Sequence, residues 1–358
     1  MGFFASKKGI VLVGAVIGLI AAFLQFMGNP PNMGVCVACF ERDIAGALGF
    51  HRAAVVQYLR PEIMGFVLGS MVAALMAKEF SPRGGSAPTI RFFLGMFAMI
   101  GALVFLGCPW RTLLRLAGGD GNAIFGFLGL VVGTMIGGQF IKNGFSLGRA
   151  HKGHKASGWV FPAFMFALLL LAIFTPKFGA NAIFESVKGP GAMHAPMWLS
   201  IGAGLLIGGL AQRSRFCTMG AIRDVFVARD FHLISGVVSL LIFAFIANFA
   251  LGQFNPGFDG QPIAHTNSLW NFLGMILAGA AFVMAGGCPG RQLILAGEGD
   301  SDAAVFVMGM IMGAGVAHNF MLASSPKGIT PYAPYAVVIG LVFVLAIGFA
   351  MRTKFKFD

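Results

Sequence analysis

Two pentapeptides of this 358-residue chain, Gly107-Cys108-Pro109-Trp110-Arg111 and Gly287-Cys288-Pro289-Gly290-Arg291, repeat at a spacing of 180. Cys36, followed by Arg42-Asp43, and Cys217, followed by Arg223-Asp224, repeat at a spacing of 181. In Gly-Cys-Pro the proline suits the first turn of a helix, where its missing N–H costs nothing, and Gly107 or Gly287 permits a close approach. The cysteine is then left at the helix mouth. Unpaired N–H groups and a partial positive charge at that end favour an anion, so Cys108 and Cys288 are placed for a soft or anionic ligand. A lone cysteine in an apolar segment is ordinarily a small buried hydrophobe. One in each of four matched segments is poorly explained by packing alone, and ligand contact is expected of at least two among Cys36, Cys108, Cys217 and Cys288.

Cys36-x-x-Cys39 has metal or redox spacing, but it is the one such pair and no histidine cluster accompanies it, so no metal or cofactor is expected. The second half has Gly220 where the first has Cys39, which ranks Cys39 below Cys36. Arg111 and Arg291 follow the central cysteines by three residues and either add positive potential for an anion or snorkel to the membrane interface. Arg42-Asp43 and Arg223-Asp224 read as pairs that hold their segments in place rather than as solvated charges, because intramembrane charges are costly without a partner. His151 and His154 lie in a basic loop and have no ligand spacing.

The elements that must carry these residues are apolar. Hydrophobic residues make up 57% of the chain and charged ones 11%. A helix crosses roughly 30 Å of hydrocarbon with about 20 residues. Stretches of that kind run at about 9–27, 62–77, 91–107, 123–141, 159–175, 197–212, 232–252, 269–286, 303–323 and 335–351. The first follows Lys7 and Lys8 but is long and lacks a small-x-small cleavage site, so it reads as a span and not as a secretory signal. Five cysteines, an odd number without secreted-domain spacing, are expected to be free thiols. The net charge of +12 has no nucleic-acid-binding motif behind it and fits basic cytoplasmic loops instead.

The expected fold is therefore an all-α polytopic membrane protein of about ten transmembrane helices plus four re-entrant half-helix segments. Two halves, 1–176 and 190–358, each read as span, short Cys segment, two spans, short Cys segment, two spans. Five spans per half place the second half upside down relative to the first, the inverted-repeat arrangement of transporters. Lys7, Lys8, Lys78, Arg83, Arg91, Lys142, Arg149, Lys152, Lys155, Arg352, Lys354 and Lys356 then fall on one side, against Lys177, Lys188 and Lys327 on the other. Both termini are expected in the cytoplasm. Cys36 and Cys108 enter from outside, Cys217 and Cys288 from inside, and four half-helices converge near the midplane. No Asp or Glu stands in the centre of a long span, so no buried proton relay is evident.

At these motifs the chain resembles the YeeE/YedE family of sulfur-compound transporters. The stretches from Gly34 to Asp43 and from His51 to Glu62 are similar to the branch of YedE-type selenium-metabolism membrane proteins. The resemblance implies an hourglass of helices with loops plunging in from both sides. It also implies import of thiosulfate past central cysteines, here Cys36, Cys108 and Cys288, with Cys217 fitting through the internal repeat. A small cytoplasmic sulfurtransferase-like (TusA-like) partner that receives the imported chalcogen is implied as well. The expected function is import of a small sulfur- or selenium-containing compound across the inner membrane. A membrane-embedded thiol or persulfide (selenosulfide) transferase is the alternative, although no His or acid lies beside a cysteine in sequence as an activating base. A scaffold subunit would have no need of four cysteine segments.

Overall fold

The computed structural model describes residues 3–178 and 183–352. Lys354 and Lys356, both chain ends and the side chain of Lys177 lie outside the described residues. The described part is an all-α polytopic membrane fold; its only strands are two short antiparallel segments, Arg83–Gly84 and His151–Lys152. The first half holds α1 (Lys7–Phe26), α2 (Val37–Ala47), α3 (Pro61–Met76), α4 (Pro88–Phe105), α5 (Pro109–Ala117), α6 (Asn122–Lys142) and α7 (Ser157–Phe178). The second holds α8 (Met197–Ser214), α9 (Thr218–Val227), α10 (His232–Ala250), α11 (Ser268–Ala285), α12 (Pro289–Gly297), α13 (Ser301–Asn319) and α14 (Ala333–Ala350).

Each apolar stretch read from the sequence coincides with a long helix, and each Cys segment with a short one. Eight helical stretches are long and apolar enough to cross a membrane; α3, at 16 residues, is shorter. The starts follow from local chemistry. Proline opens α3, α4, α5 and α12, where its fixed φ is already helical. Asp300 caps α13 by accepting from Ala303 N, and Asn267 caps α11 by accepting from Trp270 N.

Glycine sets how the long helices pack. A Cβ on Gly14 would overlap the carbonyl of Gly236, and one on Gly18 that of Leu240, so α1 and α10 touch backbone to backbone and run parallel. Gly204 and Gly208 of α8 meet the carbonyls of Glu62 and Phe66 of α3, again in parallel. The same holds for Gly309 and Gly313 of α13 on Phe92 and Met96 of α4, and for Gly129 and Gly133 of α6 on Phe272 and Ile276 of α11. Such contact is how helices associate where lipid removes the hydrophobic drive between them. The partners are exchanged between the halves: the first long helix of each packs on the third element of the other, and the fourth on the sixth.

The connections exchange partners too. The segment before α4 pairs with the end of α12, through Ser81 N to Glu298 O at 2.9 Å and Arg83 N to Gly299 O at 3.2 Å. The segment before α11 pairs with the end of α5, through Asn255 N to Gly118 O at 2.9 Å and Gly257 N to Gly119 O at 3.0 Å.

Candidate functional site

Each of the repeat-matched cysteines is the N-cap residue of a short helix: Cys36 of α2, Cys108 of α5, Cys217 of α9 and Cys288 of α12. The chain reverses just before three of them, with Leu106 (φ 64), Arg215 (φ 58) and Gly286 (φ 98) in the left-handed region at the ends of α4, α8 and α11. Three thiols take a backbone N–H of their own first turn: Cys36 from Cys39 at 3.4 Å, Cys217 from Gly220 at 3.2 Å and Cys288 from Arg291 at 3.4 Å. Sulfur is a weak acceptor, and helix stability alone selects Ser, Thr, Asp or Asn at this position. Cysteine at all four caps points to a use for the sulfur.

The caps meet in pairs. Cys36 and Cys108 stand 3.8 Å apart, sulfur to sulfur, and the thiols of Cys217 and Cys288 interact with each other. Cys39 joins the first pair, 3.6 Å from a guanidinium nitrogen of Arg111. All five cysteines are free and buried; Cys217, at 6%, is the one with measurable exposure. Trp110, two residues after Cys108, connects the groups. Its ring lies 5.8 Å from that of Phe66 and 5.9 Å from that of Phe216, the residue before Cys217. It also touches Gly290, two residues after Cys288, and its Nε1 is buried with no hydrogen-bond partner among the described residues.

The two arginines of the pentapeptides differ. Arg111 is wholly buried and donates to the carbonyls of Leu106, Asn32 (3.3 Å) and Ile263 (3.1 Å), with no carboxylate paired to it among the described residues. It does not snorkel, and it leaves uncompensated positive charge beside Cys39. Arg291 pairs with Glu298 at 3.4 Å, which Arg215 also holds at 3.2 Å. Gly107 and Gly287 make room for these arginines, since a Cβ on either would press on the side chain of Arg111 or Arg291 at 3.1 or 3.0 Å. Past Ile263 a polar cavity of about 600 Å³ is lined by Gln261, His265, Asn267 and Lys327 among others.

Asp43 anchors α2. Arg42 contacts it at 2.7 Å and Arg60 at 2.7 Å, all three buried, and Arg60 also donates to the carbonyls of Pro190 (2.7 Å) and Met193 (2.9 Å). Arg223 and Asp224 repeat the pair at 2.7 Å in a more exposed setting. Sequence reasoning missed Arg60, Trp110 and Glu41. Glu41, in the short helix α2, is fully buried, with neither carboxyl oxygen partnered among the described residues. The available signal was the repeat itself, where Glu41 aligns with Ile222 at the 181 spacing.

Fold and site together define a polytopic helical membrane protein whose buried core gathers five cysteines at helix N-termini. Within that class, residues 213–354 match the family model described as sulphur transport. The chain is also similar to a thiosulfate transporter, TsuA of Spirochaeta thermophila, at 31% identity over 112 residues. That similarity covers 30% of this chain and 32% of the relative's length. These matches bear out the resemblance to the YeeE/YedE family read from the sequence; they do not single out its selenium branch.

Proposed function

We propose that the protein imports a small sulfur- or selenium-containing anion across the inner membrane, with thiosulfate the first candidate. The observation that carries this reading is the placement of Cys36, Cys108, Cys217 and Cys288, each at a helix N-cap and arranged as two pairs in contact. Helix N-termini and the unpaired Arg111 supply positive potential for an anion, and thiols offer weak, soft contacts to a terminal sulfur or selenium. The ligand passes from Cys36, Cys39 and Cys108 to Cys217 and Cys288 by exchange of such contacts. Several weak sites in series let it bind and still leave. The sulphur-transport match over residues 213–354 and the relative named a thiosulfate transporter support the substrate class.

In this reading the halves 1–176 and 190–358 are inverted repeats about the bilayer midplane. The exchanged, parallel packing of α1 on α10 and α8 on α3, and of α4 on α13 and α6 on α11, supports it, because an odd number of spans per half is what makes those pairs parallel. Both termini are cytoplasmic, on the side richer in Lys and Arg. A TusA-like sulfurtransferase at that face takes up the imported sulfur.

The test is uptake of labelled thiosulfate, selenite and sulfite into proteoliposomes of the purified protein, with intact-mass analysis of the protein after exposure. Saturable flux of one compound with no lasting adduct is expected. A stable sulfur or selenium adduct without flux contradicts transport and favours the persulfide transferase.

A further inference from the structure

We propose that Glu41 is a proton-binding site that couples inward movement of the substrate anion to a proton; the proposal rests on the transport reading above. Glu41 lies on α2, five residues after the cap Cys36, and is 0% exposed. Neither Oε1 nor Oε2 has a hydrogen-bond partner among the described residues. A carboxylate in that position, out of water and without a donor, is far more costly than a carboxylic acid, so the site holds a proton until something changes around it.

The charges nearby are committed elsewhere. Arg42 and Asp43 pair with each other and with Arg60. On the helices packed against α2, Glu62 accepts from Asn29 and Ser200, Arg91 donates to Ser86 and Ala285, and Arg291 pairs with Glu298. Asp302 accepts from Gly85 N and Ser86 N, and His318 packs on His51. The titratable group of another element whose field reaches Glu41 is the thiol of Cys108, which belongs to the substrate pathway in this reading.

Two further observations separate this acid from an ordinary structural carboxyl. The fold does not need it, because the matched position of α9 is Ile222, buried at 3%. It also stands in the half that enters from outside, on the same short helix as Cys36 and Cys39. Each negative charge carried inward works against an inside-negative potential, and a proton carried with it cancels that work. Arrival of an anion at Cys108 further favours the protonated acid. Departure of the anion toward Cys217 and Cys288 removes that added bias, and the proton leaves once the site opens to water on the inner side and the carboxylate is solvated. No bond other than O–H forms or breaks.

The experiment uses proteoliposomes of the full chain holding a pH-sensitive dye, with thiosulfate added outside and no imposed gradient. Wild type is expected to acidify the lumen as thiosulfate enters. Glu41→Gln is expected to lose that acidification per thiosulfate taken up, and Glu41→Asp to keep it while the pH profile of uptake is displaced. Thiosulfate uptake by wild type without acidification, an unchanged proton-to-thiosulfate ratio in Glu41→Gln, or an unmoved pH profile in Glu41→Asp each overturns the proposal. Absence of any thiosulfate uptake by wild type overturns the transport reading and this one with it.

Discussion

Trp110 lies against Gly290, the residue that holds its own position in the second half of the repeat: a Cβ on Gly290 would stand 3.0 Å from Cζ2 of the indole. Two tryptophans do not fit there, and the repeat resolves the conflict by giving one half the ring and the other half the space. With Phe66 and Phe216 on its flanks, the indole bridges the neighbourhood of Cys108, two residues before it, to Phe216, the residue before Cys217, and to Gly290, two residues after Cys288.

If the proposed pathway runs past this ring, removing the indole is expected to make it leaky. Trp110→Ala should admit sulfate as well as thiosulfate, whereas Gly290→Val should wedge the indole and slow both. The core truncation costs stability of about 3–5 kcal/mol, so folded protein is first isolated by gel filtration. Sulfate flux as low as in wild type would remove the ring from the selectivity argument.

Burial orders the reactivity of the thiols. Cys217 has 6% exposure and the other four have 0%. Brief treatment with a membrane-permeant maleimide, followed by peptide mass spectrometry, should find Cys217 labelled first. Initial labelling at Cys36 or Cys108 would mean that the first-half pair opens to solvent more readily than this arrangement allows.

Asp43 compensates two buried guanidinium groups, those of Arg42 and Arg60. Asp43→Ala strands both, and breaking a buried ion pair by removing one partner costs about 3–5 kcal/mol. Yield and thermal stability in detergent should drop sharply, and much more than for Asp224→Ala, whose ion pair with Arg223 is partly exposed. Equal losses would contradict the anchoring role of the triad.

Glu79 lies outside the spans, between α3 and α4, and takes a hydrogen bond from Gln212 at 2.8 Å and ion pairs from Arg215 at 2.9 Å and Arg213 at 3.2 Å. The Gln212 hydrogen bond, then Arg215 and Arg213, outweigh partial desolvation and hold its carboxyl below the usual range. A depressed carboxylate contributes stability that is present above the unfolded-state value of about 4.3 and is lost as pH falls through the folded one. Melting curves of wild type should therefore converge on those of Glu79→Gln as the medium is acidified below that value. A gap that stays constant with pH would contradict the linkage.

Helix placement was legible because it depends on local quantities: runs of apolar residues, proline at first turns and glycine before the cysteines. The pairing of Cys36 with Cys108 was implied by convergence, but its contact distance depends on how α2 and α5 pack. Arg60 gave no local signal, standing in a polar segment beyond the Cys36 motif, and its role appears only when α2 folds back onto it. Glu41 gives no signal within the long spans, because it lies in a short helix that is buried by its neighbours. The joining of Arg83 to Asp300 and of Asp120 to Gly257 as reciprocal bridges reflects tertiary register, which no window of sequence contains.

The central claim is that the paired cysteines carry the substrate. Its most direct test is the initial rate of labelled thiosulfate uptake into proteoliposomes by wild type and by the Cys108→Ala/Cys288→Ala double variant, reconstituted at equal folded density. The account predicts that flux in the double variant falls to the level of protein-free vesicles. Uptake at the wild-type rate would contradict it, leaving the cysteines as packing residues.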